Sequence, residues 1–351
     1  MSTFDRIANL PLEIESYELE PLEQEVSSQF TRHTTVVRLR GGGHEGIGED
    51  VTYDPEDQRA FQKEGPTLPL SGSHTLESFS ALLGRFSLFP SGPSLPAYAD
   101  YRRWAYESAA LDLALRQARR SLTRALGRSP RPVRYVVSLR LGNPPSAEPV
   151  LKLREGYPAL RFKLDPTSAW NAALIAELVA TQAVDSLDFK GAYKGTPVDQ
   201  EPDPLLYGRV ALAFPDAWLE DPALTPETNP VLEPHRGRIT WDAPIHSVAD
   251  IKGLPFPPRM LNVKPSRFGS LRNLLDAYDY CEANRIRMYG GGQFELGPGR
   301  GQIQYLASLF HPDAPNDIAP GGFNRENPPA GLPQSPLPPQ PSTVGFRWAE
   351  K

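Results

Sequence analysis

The sequence predicts an α/β protein, a modified (β/α)8 TIM-type barrel preceded by an N-terminal α+β domain. Short apolar runs recur through the second part of the chain, at 133–138, 160–163, 186–188, 217–220, 238–242, 260–264, 287–290 and, faintly, 316–319. Helical patterns lie between several of them, most clearly at 169–181 and 271–283, the order expected of parallel strands joined by crossovers. The residues before Pro130 have another texture, with strand-like alternation first and a long helical pattern after it. The expected division is 1–130 for the α+β domain, 131–324 for the barrel and 325–351 for a proline-rich C-terminal tail.

In chain order, residues 10–40 read as strands. Leu12, Ile14 and Tyr17 partly alternate with polar neighbours, and 34–39 carries a β-branched run. Between them 23–32 is mostly polar and reads as a mobile loop; this segment and 48–56 are expected to set specificity. Gly41-Gly42-Gly43-His44-Glu45-Gly46 closes a hairpin, because no helix start follows that would make it a phosphate loop. Helical spacing returns at 75–86 and more strongly at 98–126, where Trp104, Ser108, Leu111 and Leu115 share a face with Ala105 and Ala109 beside them. Pro130 and Pro132 mark the boundary. The spacing of the later runs is short for a barrel, so some helices are expected to be reduced or absent. The segment 327–340 is a proline-rich, semi-rigid spacer. The aromatics Phe346 and Trp348 beyond it are expected to dock back onto the body.

Composition narrows the function classes. Lys plus Arg is 37 and Asp plus Glu is 42, a formal charge of −5, which gives no electrostatic case for nucleic acid or an anionic membrane. No apolar run approaches the ~20 residues of a membrane span, and the opening residues lack a signal-peptide pattern. The single cysteine, Cys281, excludes an internal disulfide and a cysteine-rich zinc site. A cytoplasmic protein acting on a small molecule is expected, with a homo-oligomer allowed.

The chemistry lies at the ends of the apolar runs. Five consecutive runs end in Lys163, Asp188, Glu220, Asp242 and Lys264, each about one strand–helix unit from the next. A single Asp or Lys at a strand end is more often a cap or a surface charge. In a parallel barrel, however, the C-terminal strand ends share one mouth, so these five would converge. Three carboxylates suit a hard dication, Mg2+ or alternatively Mn2+. No Cys joins them and no His lies at those strand ends, which disfavours zinc. A nearby dication and partial burial would draw a flanking lysine toward a useful base. The metal would hold a substrate carboxylate and stabilise the enediolate left when the α-proton departs.

These residues resemble the enolase superfamily, in particular its muconate-lactonizing branch, which includes o-succinylbenzoate synthases and dipeptide epimerases. The resemblance covers about residues 10–324. Gly46-Ile47-Gly48-Glu49 and the run from Glu107 to Ala114 resemble motifs of that family's N-terminal capping domain. Arg161-Phe162-Lys163 resembles the second-strand Lys-x-Lys, which implies Lys163 as a base. Asp188, Glu220 of Glu220-Asp221-Pro222 and Asp242 resemble the three metal ligands, and Lys264 of Asn262-Val263-Lys264-Pro265-Ser266 the opposite-face lysine. Gly292-Gln293-Phe294-Glu295 is similar to a motif of the synthases and makes Glu295 a candidate substrate contact. Arg161 replaces the usual first lysine, and its fixed charge suits a substrate carboxylate. Asp317 is the one acid where dipeptide epimerases carry Asp-x-Asp to hold the substrate's amino group. Apart from the resemblance, Gly297-Pro298-Gly299-Arg300-Gly301 could present Arg300 and backbone N–H groups to a substrate anion, with a plain strand-to-helix turn as the alternative. Lys190 stands where an Asn is common, and Ala243 where a Glu often follows the third ligand. His246 and Cys281 read as structural, and His311 has no partner visible in sequence.

The resemblance implies abstraction of a proton α to a carboxylate. The synthase-like matches tip the reading toward a dehydrating lyase; racemisation or epimerisation of amino-acid derivatives or dipeptides is the alternative. A non-catalytic metal-binding relative is the reading from another class.

Overall fold

The structure, a computed structural model, describes residues 2–26, 30–196 and 198–348. Its N-terminal part comprises β1 (Pro11–Ile14), β2 (Ser16–Val26), β3 (Phe30–Gly41), β4 (His44–Asp50), α1 (Pro55–Glu64), β5 (Gly72–Thr75), α2 (Leu76–Leu83), α3 (Tyr98–Gln117) and α4 (Leu122–Leu126). Strands β2, β3 and β4 form an antiparallel sheet, and β1 pairs with β5. The turn at Gly42 and Gly43, both at positive φ, makes the expected hairpin.

The loop expected at 23–32 is a correction. Glu23 pairs with His33, Gln24 with Arg32, Glu25 with Thr31 and Val26 with Phe30, while 27–29 lie outside the described residues. A hairpin with one face in water needs no apolar residue there. Polar cross-strand contacts serve instead: His33 Nδ1 lies 3.4 Å from Glu23 Oε2, and Thr31 Oγ1 donates to Glu25 Oε1. Residues 48–56 are likewise mostly ordered structure, because Asp54 caps α1 through Glu56 N and Asp57 N and Pro55 starts the helix.

Helix α3 is buried along most of its length, with β4 pressed against it. A Cβ at Gly46 would lie 2.2 Å from Ala109 O, and at Gly48 2.1 Å from Ala105 O. The glycines of that motif therefore serve close backbone approach. The helix predicted at 98–126 is broken after Gln117, where Arg119 turns at φ 50 and Ser121 caps α4.

The rest of the chain follows the strand–helix alternation: β6 (Val137–Leu139), α5 (Glu148–Gly156), β7 (Phe162–Leu164), α6 (Ala172–Ala180), β8 (Val184–Asp188), α7 (Pro204–Ala213), β9 (Trp218–Glu220), α8 (Asn229–Leu232), β10 (Ile239–Thr240), α9 (Val248–Gly253), β11 (Met260–Val263), α10 (Pro265–Phe268), α11 (Leu271–Ala283), β12 (Arg287–Gly290) and α12 (Pro298–Phe310). Strands β6 to β10 pair in parallel in sequence order, as do β11 and β12. A parallel bridge from Trp241 to Leu261 joins the two sets. The faint eighth run contributes two bridges, Asn316 to Tyr135 and Asp317 to Gly291, and these close the ring. Prolines at 315 and 320 bracket that run and keep it from a longer ladder. The crossover helices α8 and α9 have 4 and 6 residues, the expected reduction. No described helix is long and apolar enough to cross a membrane.

The proline-rich segment is held by side chains of the body. Tyr157 OH donates to Pro329 O and Tyr135 OH to Pro333 O, and Leu337 bridges Val133. The chain then returns to α3, where Asp112 accepts from Phe346 N at 2.7 Å and pairs with Arg347. Phe346 is fully buried.

Barrel closure also involves His311. Its Nδ1 lies 2.6 Å from Asn316 Oδ1, which accepts from Gly290 N at 2.7 Å. Burial disfavours the imidazolium and lowers His311 from its ordinary 6.5 to about 4. A depressed histidine contributes stability above its unfolded value and loses it as pH falls between about 6.5 and 4. The loss should reach roughly 3 kcal/mol. Urea unfolding at pH 7 and pH 4.5, run beside His311→Gln, measures it; an equal drop in the variant would contradict the assignment.

Candidate metal and proton-transfer site

Asp188 and Glu220 are the last residues of β8 and β9 and sit opposite each other in the ladder. Asp242 follows β10, Lys163 lies in β7 and Lys264 directly follows β11. All five are buried at the C-terminal end of the strands. Asp188, Glu220 and Asp242 each offer a carboxylate oxygen, and these oxygens lie within 4.8 Å of one another. An all-oxygen donor set this compact, buried and drawn from three adjacent strand ends, fits a hard dication.

The two lysines reach this cluster from different sides. Lys163 Nζ lies 3.0 Å from Asp188 Oδ2, touches Glu220 Oε1 and is 3.6 Å from Asp317 Oδ2. Lys264 Nζ lies 2.8 Å from Asp242 Oδ2. Their strands are four places apart in the ring of eight, so they rise on opposite walls. Gly291 makes room for Lys264, since a Cβ there would fall 2.5 Å from Lys264 Cε.

Charge is unevenly distributed here. Burial opposes the charge of Lys163, but Asp188, Glu220 and Asp317 outweigh it and hold the ammonium well above its ordinary range. Lys264 is lowered, by burial first and then by Arg267 and Lys163. Burial pushes the Glu220 carboxyl well up, with Asp188 and Asp242 adding to the effect. Burial works the same way on Asp188 and Asp242, yet their cations prevail and both lie below the usual carboxylate range.

Several neighbours were not visible in the sequence as site residues. Tyr289 OH donates to Glu220 Oε2. Tyr193 OH donates to Asp242 Oδ2 at 2.8 Å, and Arg267 Nη1 faces Asp242 Oδ1 at 3.0 Å. Asp221, raised by burial to about 7, accepts from the backbone N–H of Asp242 and Ala243 and so fixes the third carboxylate's loop. The signals were faint: Arg267 is one turn past Lys264, and Tyr289 is the penultimate residue of β12.

Of the expected substrate contacts, Asp317 lies at the cluster. Arg161 does not. Its guanidinium pairs with Asp185 and donates to Gln182 O, at the strand starts and partly exposed, so the expected substrate contact is corrected. The ladder shifts register between Phe162 and Lys163, which removes the simple rule that residues two apart face the same way. Glu295 and Arg300 pair with each other at 2.9 Å, and Glu295 accepts from Gln293 N. His246 bonds to Arg267 O and Ala243 O, a structural role, and Cys281 is buried in α11.

The chain matches the families described as Domain of unknown function (DUF8230) N-terminal domain over residues 5–125 and C-terminal domain over 129–325. It is 26% identical over 338 residues to an N-succinylamino acid racemase of Thermus thermophilus, covering 90% of this chain and 84% of the relative. A local match of 38% identity over 61 residues, 17% of this chain and 16% of the relative, is to an o-succinylbenzoate synthase of Bacillus subtilis. Among solved structures, a dipeptide epimerase from Methylococcus capsulatus complexed with Mg ion superposes with TM-score 0.70 at 17% identity, covering 96% of this chain and all of that one. A member of the enolase superfamily from Listeria innocua gives 0.65 at 19% identity, covering 88% and 86%. The chain therefore belongs to the DUF8230 family, and the proteins it resembles in sequence and in fold are enzymes of the enolase superfamily on its mandelate racemase and muconate-lactonizing side.

Proposed function

We propose that the chain exchanges a proton α to the carboxylate of a small organic acid, with Asp188, Glu220 and Asp242 holding Mg2+ and with Lys163 and Lys264 as the two bases. One observation carries the reading: two ammonium groups flank a single three-carboxylate cluster from opposite walls of the barrel, Lys163 against Asp188 and Glu220, Lys264 against Asp242. A bound dication would neutralise the substrate carboxylate and take up the negative charge that keeps Lys163 protonated. Lys163 and Lys264 would then each face one side of the α-carbon. A proton removed at one face and returned at the other inverts the centre. Both lysines are buried, so the proton passes through the lysines and bulk water does not itself attack the α-carbon; the ammonium protons renew from solvent between turnovers. Mn2+ would suit the same oxygen donors.

The match to an N-succinylamino acid racemase over most of the chain supports an acylated amino acid as substrate and racemisation as outcome. The local match to a synthase supports a second reading, in which the same abstraction is followed by loss of a β-leaving group. The test is to incubate the protein with Mg2+ and a panel of single-enantiomer N-succinylamino acids and β-hydroxy acids, and to follow optical rotation and mass. Metal-dependent decay of rotation at constant mass supports the racemase. Loss of a water mass from a hydroxy-acid substrate assigns the lyase. Bound metal with neither change across the panel rejects the first reading.

A further inference from the structure

We propose that Lys190 is a fixed counter-cation of the carboxylate cluster, a positioning residue that loosens divalent-metal binding at Asp188; this rests on the metal-centre reading above. The loop after β8 is pinned. Phe189 N donates to Glu220 O at 2.9 Å, Gly191 N to Asp221 O at 2.8 Å, and Lys190 N to Asp188 Oδ1 at 3.1 Å. A Cβ at Gly191 would fall 2.3 Å from Ala223 N, so the loop lies directly on its neighbour. Lys190 itself has φ 56, a left-handed conformation uncommon for lysine that this pinning enforces.

The side chain is then committed to the cluster. It is 13% exposed, and its ammonium touches Asp188 Oδ2, lies 3.9 Å from Asp165 Oδ1 and 5.1 Å over the Tyr193 ring. Asp165 is buried and its Oδ1 has no hydrogen-bond partner, so it meets the ammonium as a Coulombic partner. Lys163 reaches the same Asp188 oxygen, but it has Glu220 and Asp317 as other partners. Lys190 is held by Asp165 and Tyr193 instead.

Two consequences follow from separating charge from orientation. The backbone N–H of Lys190 orients the Asp188 carboxylate, and that bond survives any replacement of the side chain. The ammonium places a unit positive charge against the Asp188 carboxylate that would hold a dication, in a buried site where like charges repel strongly. Deleting the ammonium therefore removes repulsion while keeping orientation. Deleting the Asp165 charge does the reverse, because the ammonium is left to Asp188. A merely structural role for these residues predicts weaker binding in both cases.

Mg2+ affinity is measured by isothermal titration calorimetry on the full chain, with Mn2+ paramagnetic resonance as a second reading, for wild type, Lys190→Met, Lys190→Asn and Asp165→Asn. Kd for Mg2+ is expected to fall roughly tenfold or more in both Lys190 variants and to rise several-fold in Asp165→Asn. Unchanged or weaker binding in folded Lys190 variants overturns the proposal and leaves the metal centre standing. If those variants fail to fold, Lys190→Gln is measured in their place under the same rule; unchanged or tighter binding in Asp165→Asn also overturns the proposal, whereas its weakening alone is shared with a structural role. If neither wild type nor any variant binds either ion, the metal-centre reading itself falls and takes this proposal with it.

Discussion

Lys163→Ala and Lys264→Ala are each expected to lower racemisation roughly 10²- to 10⁴-fold, the span of a positioned acid–base group. Inversion needs a donor on one face and an acceptor on the other, so either loss stops the full cycle. Exchange of the α-proton with solvent should survive on one enantiomer only, the one whose proton faces the lysine that remains. The two variants should therefore show opposite enantiomer preferences in D2O, followed by proton resonance at the α-position. The variants differ electrostatically: Lys163 sits against Asp188 and Glu220, so its loss leaves Glu220 with the Tyr289 donor, whereas Asp242 keeps Arg267 after loss of Lys264. Equal residual exchange on both enantiomers in both variants would contradict the two-base assignment.

The second large effect concerns the N-terminal domain and not the site. Arg102 is 2% exposed and pairs with the fully buried Asp50 at 2.8 Å. Its guanidinium also donates to Leu88 O and Asp57 O, and lies between the rings of Phe61 and Phe89, at 4.0 and 3.5 Å from their centres. One side chain thus ties the end of β4 to α1, α3 and the 88–89 segment. Arg102→Leu leaves the Asp50 charge buried with fewer partners, and removing one member of such a pair destabilises by about 3–5 kcal/mol. A loss below about 1 kcal/mol in urea unfolding would show that the pair is dispensable.

The barrel and the meeting of the five charged strand ends were legible because topology converts sequence spacing into place. In parallel strands of similar length the C-terminal residues share one end, so Lys163, Asp188, Glu220, Asp242 and Lys264 needed only their periodicity to be grouped. Tyr193, Arg267 and Tyr289 were not legible in that way. The first two lie in loops and a short helix, where position depends on the path of the backbone, and Tyr289 is an apolar-looking strand residue whose hydroxyl alone matters. Arg161 does not share the side of Lys163 because a register shift between Phe162 and Lys163 breaks the alternation of the strand. The 23–32 hairpin looks like a loop in sequence because a strand pair held by polar cross-strand contacts carries no apolar period. Lys190 was visible only as an unusual residue; its contact with both Asp188 and Asp165 depends on a left-handed turn that sequence does not announce.

The most direct test of the central claim is solvent exchange at the α-carbon of a single-enantiomer N-succinylamino acid in D2O. It would be followed by mass and proton resonance with Mg2+ present and then with the metal removed by EDTA. The two-base account predicts a one-dalton gain together with inversion when Mg2+ is present, neither after chelation, and recovery on adding Mg2+ back. Exchange that proceeds unchanged after chelation, or inversion without deuterium incorporation, would contradict it.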